Sequence, residues 1–240
     1  PVGTGAYGDF VRNALAERGI VSPVPKPETE TAAVTVLWKV TEREPLPVTM
    51  GLSIAFKKNG LMLWMPLKST AYTFAVWRSR KRPEPISFLI WEEHPEFTVF
   101  FAPGPRITLL NPKLLERVFA LHPILHLNQQ EITSYAGKEE LKAAAEEIYR
   151  FTQNTVIVTL GADGCYYYDG EKEETIPGVP AEQLDTIGAG DSHIGAVIAG
   201  LQCGKTIEEA IATANRVSAK VVETEGALLS DEAFASLDLL

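Results

Sequence analysis

Apolar and polar positions change period repeatedly along the chain, and the changes mark out alternating strands and helices. Asp9 to Arg18 places Phe10, Val11, Ala14 and Leu15 at helical spacing and runs into Gly19, a residue suited to the position after a helix. Ala32 to Leu37 is a short β-prone run, and Phe97 to Phe101 (FTVFF) reads as a buried strand. Asn111-Pro112 supplies an N-cap and a proline at the first helical position, which predicts a helix reaching Leu121. Ile124 to Leu127 is the next strand, followed by Asn128 and a polar turn. Lys138 to Phe151 is a strongly amphipathic helix, and Thr155 to Leu160 (TVIVTL) a buried strand. Gly161 to Gly164 turns into Cys165 to Tyr168, and Asp169-Gly170 predicts a hairpin. A glycine-rich turn, Gly188 to Gly190, opens a helix running toward Leu201, and Thr206 caps a last long helix from Ile207 to about Val222. Buried strands alternating with helices predict a mostly parallel sheet covered on both faces, an α/β fold in a single domain over residues 1–240.

One stretch breaks the pattern. Between residues 38 and 91, Pro45, Pro47 and Pro66 interrupt would-be elements, and the apolar residues follow neither period. All four Trp (38, 64, 77, 91) and all three Met (50, 62, 65) fall inside this window, and it contains no Asp. Nine Lys or Arg against three Glu give it a charge of +6, whereas the rest of the chain carries −15. The acidic body speaks against non-specific nucleic-acid binding. The basic run Arg78-Ser79-Arg80-Lys81-Arg82 resembles a nuclear address or a nucleic-acid patch, but belongs to the anomalous window and is read with it.

With 45% hydrophobic and 22% charged residues, the 240-residue chain excludes a disordered protein, a collagen-like chain and a disulfide scaffold. No apolar run approaches the roughly 18 residues needed to cross a bilayer, and the first residues do not form a signal peptide. Two distant cysteines, Cys165 and Cys203, fit reduced thiols in a cytoplasmic protein.

The most informative chemistry lies in Asp185-Thr186-Ile187-Gly188-Ala189-Gly190-Asp191-Ser192, directly ahead of an apolar helix. Two glycines and an alanine at a helix start leave backbone N–H groups unobstructed, which makes an anion site of the kind that takes phosphate. A carboxylate there, Asp191, is electrostatically awkward unless it has a task. Accepting a proton from a hydroxyl that attacks phosphorus is such a task. His122 and His126 stand four apart, but Pro123 and the following strand spoil a helical metal pair. His193 is expected to pack at its helix start.

The eight-residue string resembles the second signature of the ribokinase-like carbohydrate kinases, the PfkB family. That resemblance implies a three-layer α/β/α domain bearing a small β lid, and ATP-dependent phosphoryl transfer to a hydroxymethyl group of a sugar or related small molecule. It makes Asp191 the base and the amides of Gly188, Ala189 and Gly190 the anion hole. Asn128-Gln129-Gln130-Glu131 resembles the family's Asn-x-x-Glu motif, which positions Mg2+ and phosphates through water, with Glu131 on the metal side. Thr159 to Gly164 is similar to its nucleotide-binding turn, through Thr159, Gly161 and Gly164, and Asn215 to a residue near the adenine. Asp185 and the carbonyl of Ile187 correspond to a site for a monovalent cation, K+. Val2 to Phe10 is similar to the early Gly-x-Asp-x-x-Gly turn and helix. The resemblance covers about residues 1–37 and 92–235. Further strands that precede this point in family members, and carry sugar-binding residues, are absent from the sequence. The segment 102–106 matches the family only at Arg106. A non-catalytic nucleotide- or sugar-binding regulator, or an inactive fragment, is the competing function on the same fold.

The window 38–91 falls where the family's lid and a core strand are expected. Read from the third base of each codon, Tyr72 to Trp77 permits Tyr-Val-Cys-Gly-Leu, a strand ending at glycine. Thr41 to Pro45 permits Gly-Glu-Arg-Thr, and Val48 to Gly51 permits His-His-Gly. Two compensating frame shifts bracketing residues 38 to 90 account for these strings, for the excess of Trp and Met and for the loss of Asp. The competing reading is a divergent insertion that forms a homodimer surface.

Overall fold

The computed structural model describes residues 5–17, 71–74 and 98–238. The chain divides into two compact units, residues 1–69 with 77–93 and residues 70–76 with 94–240. In the first, the described element is helix α1 (Gly5–Glu17). It starts four residues before the predicted Asp9, so the segment expected to form a turn is helical from Gly5. Gly5 enters the helix at φ +83°, a conformation open to glycine.

The second unit holds a six-stranded sheet in sequential order. Its strands are β1 (Ala71–Phe74), β2 (Thr98–Phe101), β3 (Ile124–Asn128), β4 (Val156–Thr159), β5 (Cys165–Tyr168) and β6 (Glu173–Ile176). The first four run parallel, with Phe74 opposite Phe101, Phe101 opposite Leu125, and Asn128 opposite Thr159. Strands β5 and β6 return antiparallel through the hairpin predicted at Asp169-Gly170. Six α-helices accompany them: α2 (Pro112–Phe119), α3 (Gln129–Ala136), α4 (Leu141–Thr152), α5 (Ala189–Gln202), α6 (Ile207–Val222) and the short α7 (Asp231–Ala235).

Strand alternation decides which helices cover which face. Phe100, Ile124, Ile157, Cys165, Tyr167 and Ile176 pack with Ile194 and Val197 of α5 and Ala210, Ile211 and Ala214 of α6. On the other face Phe101 meets Phe119 of α2 edge-on, Phe119 stacks on Phe151 of α4, and Tyr168 meets Tyr149. Helix–sheet–helix is therefore the layer order. Each fully buried Leu, Ile or Phe contributes about 1.5–3 kcal/mol of transfer free energy, so the strands anchor the unit. Helices α5 and α6 approach closely because Gly200 faces Ala210, where an added Cβ would sit 3.0 Å from the alanine side chain.

Two expectations shift. The polar turn after Asn128 is helix α3: Asn128 Oδ1 accepts from the Glu131 amide (2.8 Å) while the Glu131 carboxylate accepts from the Asn128 amide (2.9 Å). This reciprocal cap satisfies two donors that a helix start otherwise leaves open. The following helix begins at Leu141 rather than Lys138, because Gly137 ends α3 in the left-handed region and Glu140 caps α4. Within the anomalous window, β1 occupies a strand slot close to the expected run from Tyr72. The expectations at Ala32–Leu37 and across the rest of 38–91, lid included, lie outside the described residues.

Candidate active site

The parallel strands end at Asn128 and Thr159, side by side in register. Beyond them opens a groove of about 760 Å³ lined by Asn128, Thr159, Leu160 and Gly161, by the polar face of α3 (Gln129, Gln130, Thr133, Ser134), and by Gly137 to Glu139. Ligands of open α/β sheets bind at this edge, past the carboxyl ends of the strands. A smaller cavity of about 420 Å³ adjoins it through Asn128, Gln130 and Ser134, and includes Glu131. Burial raises the Glu131 carboxyl, with the two Asn128 hydrogen bonds opposing that shift.

The Gly161–Gly164 turn is shaped by close backbone approach. A Cβ on Gly164, at φ +99°, would lie 2.2 Å from the carbonyl oxygen of Ile176 and 2.3 Å from the amide of Gly178. Gly178 in turn sits against the carbonyl of Ala162. The turn after β4 is thus fastened to the segment after β6. Gly164 does not line the groove, because its surroundings are this backbone seam.

The glycine-rich turn opens α5 with Gly188 at φ +81° as N-cap, and no side chain caps it. The other five α-helices between residues 98 and 238 are capped by Asn111, Asn128, Glu140, Thr206 and Ser230. The Ala189 amide turns back to the Thr186 carbonyl (3.3 Å), and no side chain caps the start of α5, an arrangement that favours an anion. Asp191 lies in its first turn and is exposed. Asp185 clamps the turn: one carboxylate oxygen accepts from the Ile187 amide (3.0 Å) and the other from the Gly226 amide (3.1 Å). The Ile187 bond is the main reason its carboxyl titrates below the usual range. Gly188 packs on Ala227, where a Cβ would come within 2.5 Å of the alanine methyl.

Asn215 is buried. Its amide nitrogen donates to the carbonyls of Ile176 (3.1 Å) and Pro177 (3.0 Å), and its oxygen faces His193 Nε2 (3.1 Å). It touches the segment that holds the Gly164 turn but does not line the groove. His193 is buried as expected, and its Nδ1 lies 2.9 Å from Nε2 of His126. His122 instead meets the carbonyl of Thr152, so the two histidines of the 122–126 spacing diverge. The polar face of α3 went unread because a turn was expected there. The i, i+3, i+4 spacing of Gln129, Gln130, Thr133 and Ser134 was the available signal. Among the described residues no group of three or more His, Cys, Asp or Glu gathers to hold a metal, and no helix is long and apolar enough to cross a membrane.

A family description, pfkB family carbohydrate kinase, matches residues 104–233, more than half of the chain. The chain belongs to this family. A PfkB relative, the uncharacterized sugar kinase YegV of Escherichia coli, is 27% identical over 230 residues, 94% of this chain and 72% of its own length. Fructokinase-1 of Oryza sativa is 36% identical over 115 residues, 45% of this chain and 36% of the relative. Among solved PfkB-like folds, a probable sugar kinase from Rhizobium etli superposes with TM-score 0.82 at 16% identity, covering 100% of this chain and 76% of that one. A fructokinase from Vibrio cholerae, solved with fructose, ADP and calcium, gives 0.75 at 20% identity, covering 98% and 83%. The ribokinase-like three-layer fold expected from the sequence is the observed one.

Proposed function

We propose that this PfkB chain transfers the γ-phosphoryl group of ATP to a hydroxymethyl group of a sugar or related small molecule. The observation that carries the reading is the start of α5: a left-handed glycine turn with no side-chain cap, and the Asp191 carboxylate in the same helical turn. Membership in a carbohydrate kinase family supports it, as does the groove at the ends of β3 and β4.

In this reading Asp191 accepts the proton of the substrate hydroxyl as its oxygen attacks phosphorus. The amides of Gly188, Ala189 and Gly190 stabilise the charge that develops on the transferring group. Asp185 holds that turn in shape through the Ile187 and Gly226 amides. Thr159 and Gly161, with the Asn128 end of β3, border the nucleotide. Gly164 and Asn215 act at one remove by fixing the 176–178 segment.

Mg2+ is held in enzymes of this chemistry by one or two carboxylates, substrate phosphates and several retained waters, rather than by a protein cage. A single half-buried carboxylate, Glu131, beside Asn128 and the groove fits that mode. The ion, when bound, supplies neutralisation of phosphate charge. Glu131 and Asn128 are the side chains that would orient its water shell. Asp185 is a partly exposed carboxylate whose oxygens take backbone amides and no cationic side chain among the described residues, so Asp185 and the Ile187 carbonyl are the groups that would hold K+.

The test is ADP release by the purified protein with MgATP across a panel of pentoses and hexoses, for wild type and Asp191→Asn. We expect sugar-dependent turnover that falls about 10²–10⁴-fold in the variant while MgATP affinity is retained. Binding of MgATP and sugar with no turnover in either protein would establish the regulator instead.

A further inference from the structure

Three buried polar side chains lie in the core under α5, and of these only Asn215 entered the reading above, through the 176–178 segment. His126 of β3, His193 of α5 and Asn215 of α6 are 6%, 2% and 6% exposed. They form one line: His126 Nε2 to His193 Nδ1 at 2.9 Å, His193 Nε2 to Asn215 Oδ1 at 3.1 Å, and Asn215 Nδ2 to the carbonyls of Ile176 and Pro177.

The two carbonyls decide the direction of every hydrogen in that line. Carbonyl oxygens only accept, so the Asn215 amide must turn its NH2 toward them and its oxygen toward His193. His193 Nε2 therefore donates. In a neutral ring its Nδ1 is then bare, so His126 must donate to it from Nε2. Burial keeps both rings neutral: desolvation, with repulsion from His193, takes His126 down to about 3, and desolvation takes His193 to about 4. A proton added to His193 Nδ1 would set two N–H groups against each other.

The line also joins the pieces that carry the proposed site. Strand β3 ends at Asn128, α5 begins with the anion turn and Asp191, and residues 176–178 receive the Gly164 turn. We propose that His126, His193 and Asn215 form a neutral relay of fixed direction that positions the first turn of α5 against the end of β3 and the 176–178 segment. They are positioning residues. The consequence for nucleotide binding rests on the kinase reading, whereas the relay itself does not. Ordinary packing is the competing account, but apolar side chains would fill the space without stranding partners. Removing one member here leaves the others buried and unpaired.

The histidine rings of the whole protein, observed by nitrogen NMR at pH 7, provide a readout that needs no variant. We expect both rings neutral with the hydrogen on Nε2, and a coupling across the N–H···N bond between His126 and His193. His126→Phe keeps a ring but loses the donor, and His126→Gln restores a donor near Nε2. We expect the Phe variant to move the amide resonances of 188–191 and 176–178 and to weaken MgATP binding about tenfold. The Gln variant should return both to near wild type, within twofold in affinity. A cationic or Nδ1-protonated ring in the wild type overturns the relay, as does a Phe variant whose amide spectrum is unmoved in those two segments. If the wild type does not bind MgATP, the kinase reading fails, and the tautomer and amide shifts still decide the relay.

Discussion

Gly161 and Gly164 lie three residues apart in one turn, both at positive φ, yet the structure assigns them different duties. An added Cβ at Gly161 (φ +65°) meets nothing within 4 Å, so Gly161→Ala costs only the left-handed backbone penalty, about 1–2 kcal/mol. At Gly164 the same methyl would press into the backbone of Ile176 and Gly178, which cannot swing aside as a side chain tip can. Gly164→Ala should therefore cost about 3–5 kcal/mol, with urea unfolding of the two variants as the measure. Equal midpoints would mean that the seam between the two segments is soft. Asp185 gives a second residue-scale expectation. Its folded carboxyl titrates below the ordinary value near 4, chiefly because the Ile187 amide donates to it. The clamp is accordingly complete above the ordinary range and is lost as pH falls through the lowered folded value. Asp185→Ala should speed hydrogen exchange at the Ile187 and Gly226 amides at pH 7, and unchanged exchange there would remove the clamp from the account.

At the scale of elements, what the sequence disclosed tracks how local the cause is. Helices α2 and α6 were legible because Asn111-Pro112 and Thr206 lie within one turn of what they cap, and both caps form as read. Strands β2 to β5 were legible as apolar runs. Helix α3 was hidden because its start signal, Asn128 with Glu131, sits inside a polar stretch and resembles a loop by composition. Its reciprocal cap, and not its apolar face, declares it. The site turn at 188–190 was legible as a string. Which of its surroundings line a groove was not, since Asn215 faces inward only because α6 packs on the sheet. The histidine pair was beyond reach for the same reason, being 67 residues apart in sequence. Their coupling of β3 to α5 has a pH consequence. Both folded values, about 3 and about 4, lie below the ordinary 6.5, so the unfolded chain takes up more protons between them. Stability is complete above pH 6.5 and falls as pH drops toward 4 and 3. The partners holding the two rings, each other and the Asn215 amide, are neutral and do not offset it. Urea midpoints at pH 7, 5.5 and 4.5 should fall more steeply for wild type than for a His126→Phe, His193→Leu double variant; parallel slopes would refute neutral burial of the pair.

For the whole molecule, the decisive region is the window from 38 to 91. We propose that its excess of Trp and Met, its lack of Asp and its charge of +6 within an acidic chain come from codons read out of phase. The described part of the window, Ala71–Phe74, pairs in register with β2, which either frame allows. Such a slot accepts any short β-prone run, and both frames supply one there, Tyr-Thr-Phe-Ala as it stands and Tyr-Val-Cys-Gly when shifted. A strand can survive a frame change because it asks only for apolar, branched or aromatic residues, whereas a turn that must place particular groups cannot. The nucleotide sequence should therefore show one gain or loss of a base near codon 38 and a compensating one near codon 90. A gene returned to frame between them should encode Gly-Glu-Arg-Thr and His-His-Gly at the positions of Thr41 to Pro45 and Val48 to Gly51. If the shifts are carried by the gene, peptides containing Trp38, Trp64 and Trp77 will be found in the protein as it stands, and the restored chain should phosphorylate its sugar faster. The gain would come from turn residues that the present frame does not encode. An unbroken frame through the window, together with those peptides and full activity, would instead make residues 38–91 a divergent insertion, to be tested next as a dimer surface.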